Sequence, residues 1–400
     1  MALLTSPQPP SADATRAPLG FALWNLGFRP FYLLAGLFAT LSVPVWMAQY
    51  AGWLGAHAII AGPLWHAHEM LFGFALAVIV GFLFTAGQNW ANLPTPSGAT
   101  LAAIAALWVA ARVLVLGQYA LAAAAADTAF ALAAAAGLAL PFLRAGNRRN
   151  YFFVALLVGL AAANLAFYLS MAGVLDLPVQ RGLQTGLDIV LFIMVVMAGR
   201  VIPMFTMNGI PGLFCARLPW LERLAPGSVL VLLAADVAGA PDAVIGLVAA
   251  AAAAAHAARL WLWRPWLTLK VPILWILHLS YAWIVIALAL RALAAFDLVP
   301  PGLAAHALTV GAIGGLTLGM MTRTSRGHTG RPLTTGRAEE FCYVVIQIAA
   351  LTRVFLPLAI PAVYLQAIVV SGLLWSLAFG VFTVAYWPIL SRPRLDGKPG

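Results

Sequence analysis

The stretch LFGFALAVIVGFLFTA, residues 71–86, contains no ionisable group, and runs like it recur along the whole chain. About twenty apolar residues rising 1.5 Å each span a hydrocarbon layer of roughly 30 Å. Lipid offers the backbone no hydrogen-bond partner, so such runs must satisfy themselves as helices. Twelve spans are read this way, near 31–50, 64–86, 98–116, 118–141, 151–173, 183–207, 226–240, 243–263, 271–293, 302–321, 340–358 and 362–388. The breaks carry turn chemistry: NLPTPSG, RAGNRRN, GIPGLF, AGAPD, VPPG and LAIPA. The fold class is therefore all-α, a polytopic transmembrane bundle of about 12 spans. Composition agrees, since only 8% of the 400 residues are charged against 63% hydrophobic, too few to cover a water-soluble fold.

The net charge of +10 is almost all arginine and sits in the short gaps between apolar runs. That is a topology signal and excludes a nucleic-acid surface. The connections after the odd-numbered spans hold one basic residue, Arg181. The other side holds sixteen: Arg16, Arg29, Arg144, Arg148, Arg149, Arg217, Arg223, Arg264, Lys270, Arg323, Arg326, Arg331, Arg337, Arg392, Arg394 and Lys398. The positive-inside rule then puts both termini in the cytoplasm, in a multi-pass membrane protein. A Pro/Ser/Ala-rich mobile tail (1–26), a single membrane domain (27–390) and a short cytoplasmic tail (391–400) follow from this division. Two cysteines, Cys215 and Cys342, cannot build a disulfide framework or a zinc ribbon.

Orientation gives each ionisable residue a depth. His66, His68 and His306 fall within about one turn of the outer ends of spans 2 and 10. His256 and His278 share a depth of roughly 10 Å inside the inner boundary, with His328 in the following inner loop. His57, in an outer loop, reads as solvated. Residues two apart on a helix point about 200° from each other, so His66 and His68 cannot grip one metal from a straight helix. The wheel puts Glu69, Met70, Gly73, Ala77 and Gly81 on the face of His66, and Phe72, Ala75, Ile79 and Phe82 on that of His68. Two imidazoles on separate helices suit a haem iron, and imidazole also suits copper. A lone intramembrane histidine more simply makes an interhelical hydrogen bond, and that reading stands beside the other for His256 and His278. Arg353 has the depth to meet haem carboxylates at the outer cluster, Arg200 and Arg323 at the inner one, although snorkelling explains them too. Glu69, Asp127 and Asp188 are candidates for a proton path or for buried ion pairs. Gly311, Gly315 and Gly319 form a close-packing row. No Walker loop, dinucleotide fingerprint or H-E-x-x-H is present.

FRPFYLLAG, WHAHEMLFGFALAVIVGFLFTAGQNW, GRVIPMFT, ILWILHLSYAW, HALTVGAIGG and MTRTSRGHTGRPL, in this order, resemble the signature segments of the NnrS family. The likeness runs from about residue 27 to 390. It departs at AGQNW, where a proline would be expected at Gly87 or Gln88. The resemblance implies a haem- and copper-containing, multi-pass protein of the bacterial inner membrane that serves the nitric oxide response and is associated with denitrification. The motif positions His66, His68, Glu69, Arg200, His256, His278, His306, His328 and Arg331 match the family pattern. A histidine pair on spans 2 and 10 is also where haem–copper oxidases hold a low-spin haem, which suggests a shared haem position and a related architecture. Spans 6 and 7 lack the histidines for that group's copper. The function expected is binding of nitric oxide, or electron transfer, at a His-ligated b-type haem. A quinol-linked haem/copper oxidoreductase acting on a nitrogen oxide is the alternative, and a transporter the second.

Overall fold

The computed structural model describes residues 20–55, 60 and 62–398. The first nineteen residues of the tail and His57 lie outside the described residues. Twelve long helices and no strand are found among the described residues. They are α1 (Phe28–Tyr50), α2 (Gly62–Ala91), α3 (Gly98–Val115), α4 (Ala120–Arg144), α5 (Tyr151–Met171) and α6 (Val179–Gly209). Then come α7 (Pro219–Ala238), α8 (Asp242–Leu262), α9 (Pro272–Ala294), α10 (Pro301–His328), α11 (Arg337–Ala359) and α12 (Tyr364–Ser391). AGQNW, which sequence reading places in a loop, is helical and belongs to the C-terminal end of α2.

Eleven of the twelve are long and apolar enough to cross a membrane. The exception, α7, carries Glu222, Arg223 and Asp236. Two of these charges are met by neighbours: Arg259 on α8 donates to Glu222 at 2.6 Å, and Arg291 on α9 pairs with Asp236. The helix begins at Pro219, earlier than the apolar run, because hydropathy marks the greasy stretch and not the hydrogen-bonded one. The same reason extends α10 to His328, so Arg323 and His328 stand on a helix and not in the inner loop assigned from sequence.

Large apolar side chains point outward along the bundle, among them Leu121, Val231, Leu247 and Val384. On a water-soluble protein that surface would be a liability; facing lipid it is the expected one. Exposed Trp53, Tyr119, Trp220 and Trp261 lie at helix ends, the level of a membrane interface. The Ala22 N–H donates to the Ser391 carbonyl (2.8 Å), and buried Arg29 donates to the carbonyls of Leu390 and Arg392. The start of α1 and the end of α12 thus meet at one end of the bundle, as an even number of crossings requires. Arg394 donates to the His328 carbonyl at 2.9 Å, tying the C-terminal segment to the end of α10 at that same end.

Small residues set the closest helix approaches. A Cβ on Gly315 would overlap Ser280 Oγ, and one on Gly311 would run into the Trp283 ring, so the glycine row of α10 seats against α9. At Gly182 the neighbours are backbone: a Cβ would lie 2.8 Å from the Ala163 carbonyl oxygen and 3.0 Å from the Phe167 nitrogen. Backbone cannot rotate aside as a side chain can, so α5 and α6 would have to part. Gly182→Ala is expected to cost roughly 1–3 kcal/mol, read as a lowered unfolding midpoint of the detergent-solubilised protein. An unchanged midpoint would mean that the two helices separate freely.

Candidate cofactor site

A cavity of about 410 Å³ opens between α1, α2, α6, α10, α11 and α12, within the range of small-molecule sites. Its wall includes His66 at the start of α2, His306 at the start of α10 and Arg353 in the second half of α11. Trp46 and Tyr50 from the end of α1 and Tyr364 from the start of α12 complete the same end. The cavity therefore lies away from the end where the chain termini meet. Gln180 and Gln184 add polar groups to an otherwise apolar lining.

Local backbone explains how the histidines reach it. Both α2 and α10 pass into π-helical segments just after their cavity histidines, over Glu69–Ala75 and Ala307–Gly314. The i→i+5 turn is wider than the α-turn and recurs at functional sites. In α2 it holds every fourth residue in line, so His66, Met70 and Phe74 all face the cavity. It also parts the small-residue row from the face of His66. Gly73 meets Phe38 and Arg112 instead, and Gly81 meets Phe31 and Tyr32.

The His66 ring stacks on the Trp46 indole, 4.0 Å between centroids and 18° between planes. Its Nδ1 is buried with no hydrogen-bond partner. His306 differs: its Nδ1 meets the Gly302 carbonyl at 2.6 Å. That carbonyl can only accept, so Nδ1 carries the proton and Nε2 keeps its lone pair. Arg353 is buried at the cavity edge, its guanidinium 5.3 Å from the Tyr364 ring centroid and its Nη2 3.5 Å from the Tyr364 hydroxyl. No carboxylate pairs with it among the described residues, whereas Arg112, Arg259, Arg291 and Arg326 each have one.

His68 points the other way, into a buried cluster with α3, α4 and α5. Its Nδ1 meets Glu69 Oε1 (2.8 Å) and its Nε2 meets Asn164 Oδ1 (2.9 Å). Phe72, Phe167 and Tyr168 enclose the ring. Glu69, which a regular helical wheel puts beside His66, thus belongs to His68. Arg112 donates to Glu69 Oε1 at 2.7 Å and pairs with Asp127, which also accepts from the Tyr168 hydroxyl at 2.8 Å. Ligand atoms of His68, Glu69 and Asp127 lie within 4.8 Å of one another, close enough for one metal ion. The Arg112 guanidinium already supplies the positive charge between the two carboxylates.

Away from the cavity, His256 Nδ1 meets the Tyr281 hydroxyl at 2.5 Å and His278 Nε2 meets Thr206 Oγ1 at 2.8 Å. Trp263 stands against both Tyr281 and His278. Each histidine has a hydroxyl partner on a neighbouring helix, and they do not bond to each other. Arg200 lies over Trp90, Phe152 and Phe153 and donates to Asn150 at 2.9 Å. Arg323 lies over Phe205, 3.9 Å from its centroid. His328 leans on Phe28, and Arg331 follows beyond the end of α10. Asp188 is paired with Arg291 at 2.7 Å.

The model of the NnrS protein family matches residues 22–394, nearly the whole chain. The chain belongs to the NnrS family. No curated protein matches it. Within this NnrS-family chain, sequence reading passed over Trp46, Arg112, Asn164 and Tyr364. Arg112 had a signal: an arginine inside an apolar span, in the last turn of α3, calls for a carboxylate partner, and Glu69 and Asp127 are among the few available. Trp46 and Tyr364 had none, because an aromatic in a membrane span is ordinary.

Proposed function

We propose that the cavity holds a haem between His66 and His306, with Arg353 directed at its carboxylates. The observation that carries this is the meeting of two histidines from separate helices with a buried arginine that has no carboxylate partner among the described residues. The donor set fits the group. His306 presents Nε2 with its other nitrogen hydrogen-bonded, the usual arrangement of a ligating histidine. His66 lines the same cavity with its ring held in plane by Trp46, and has no hydrogen bond at Nδ1 to give up. The planar guanidinium of Arg353 suits a carboxylate, and burying it unpaired would be costly. When bound, the haem supplies an iron that takes nitric oxide or passes an electron.

The protein on this reading acts in the nitric oxide response of a bacterial inner membrane, with a b-type haem and both termini cytoplasmic. Family membership and loop charge support these assignments. A quinol-linked reaction would need a proton path. Here Asp127 and Asp188 are each tied to an arginine, and Glu69 to Arg112 and His68, which favours binding or electron transfer over turnover. Among the described residues, copper has a candidate place at His68, Glu69 and Asp127, where an ion would have to displace Arg112. His256, His278, Arg200, Arg323, His328 and Arg331 stay outside the proposed haem site.

The test is the absorption spectrum of the purified protein, oxidised and dithionite-reduced, before and after nitric oxide. A Soret band that moves on adding nitric oxide to the reduced form, and that is lost when His66 and His306 are both replaced by alanine, is the expected result. Absence of the band from the unaltered protein would overturn the proposal.

A further inference from the structure

Resting on the haem reading of the cavity, we infer that the two histidines are unequal: His306 is the permanent ligand and His66 the one that yields to a small exogenous ligand, which then binds on the α2 side beside Trp46. The asymmetry is in the geometry. The Nδ1 proton of His306 is held by Gly302 O at 2.6 Å, one turn back on the same helix. That bond fixes which nitrogen is free, fixes the ring's rotation, and makes the free nitrogen more basic. The His306 ring would have to break it in order to turn away.

His66 has no such anchor. Its Nδ1 is buried without a partner, so nothing selects its tautomer or strengthens its other nitrogen. The contact that orients it is the stack on Trp46 at 4.0 Å. Face-to-face stacking sets the plane of a ring but resists sliding within that plane only weakly. A ring that swings out along the indole loses no hydrogen bond from Nδ1. The cavity wall next to it, Ala67 and Met70, is one small residue and one flexible one, which leaves room for a diatomic. The two histidines thus divide the work of holding the group and of opening a position on it.

Single replacements read this directly. Purified wild-type protein, His66→Gly and His306→Gly are compared for haem per polypeptide, for spin state, and for carbon monoxide binding to the reduced form. His66→Gly is expected to keep its haem, become five-coordinate and high-spin, and bind carbon monoxide at least ten times faster than wild type. Added imidazole should return it to the low-spin form. His306→Gly is expected to lose most of its haem. In the His66→Gly protein the iron–histidine stretch in the resonance Raman spectrum should report a hydrogen-bonded imidazole, which a merely structural His306 would not give. The reverse pattern, with haem kept in His306→Gly and lost from His66→Gly, would overturn the inference and leave the haem reading intact. Equal loss from both would do the same. No Soret band in the wild type would remove both together.

Discussion

Replacing Arg112 by methionine is expected to cost on the order of 3–5 kcal/mol, enough to deplete the folded protein in detergent. Arg112 lies between Glu69 and Asp127, both about 1% exposed, and donates to one while pairing with the other. With the guanidinium gone, two carboxylates remain in a pocket closed by Phe72, Phe167 and Tyr168, beside His68. Removing one partner of a buried ion cluster leaves an uncompensated charge, which is far worse than never having the cluster. The physical cause can be separated from lost packing by a second variant. Arg112→Met combined with Glu69→Gln and Asp127→Asn has the same missing side chain but no stranded charge, and should recover most of the loss. Size-exclusion profiles and unfolding midpoints of the two proteins check this. If the triple variant is as damaged as the single one, the cluster matters for its shape and not its charge balance.

The second large effect is at Arg353. Arg353→Glu is expected to abolish haem retention in the purified protein, because a carboxylate would then face the carboxylates of the bound group. Arg353→Gln should weaken retention by roughly 10- to 100-fold, the worth of a charged hydrogen bond at about 1.5–3 kcal/mol. Arg353→Lys should fall between wild type and Gln, since an ammonium keeps the charge but not the planar fork. Haem transfer to apomyoglobin, followed by absorbance, measures the series. Equal retention in all four proteins would show that Arg353 serves only Tyr364 and the interface.

Much of this architecture can be read from residue order. The spacing of apolar runs gives the helices, and the sixteen-to-one division of basic residues supports an even number of crossings. The Ala22–Ser391 contact brings the start of α1 and the end of α12 to one end of the bundle. Depth alone also predicts that His66, His68, His306 and Arg353 share an end of the bundle; His66, His306 and Arg353 line one cavity there, and His68 does not. Where sequence reading falls short, the reasons differ. Helix ends at α7 and α10 are misplaced because hydropathy stops at the first charges while hydrogen bonding does not. The partner of Glu69 is misassigned because an ideal 3.6-residue wheel does not foresee the π-helical turn that begins there.

The residue WHAHEM raises most sharply, which of its two histidines faces the cavity, is settled only by tertiary packing. Sequence determines that His66 and His68 diverge, since the helix turns through about 200° between them. It does not say which direction leads to a cavity and which to an ion cluster. That choice depends on α1 and α10 standing on one side of α2, and on α3, α4 and α5 standing on the other. Those neighbours bring Trp46 and His306 to one histidine, and Arg112, Asp127 and Asn164 to the other. Local chain chemistry sets directions along a helix. What lies in each direction is set by helices up to a few hundred residues away, whose placement no local pattern encodes.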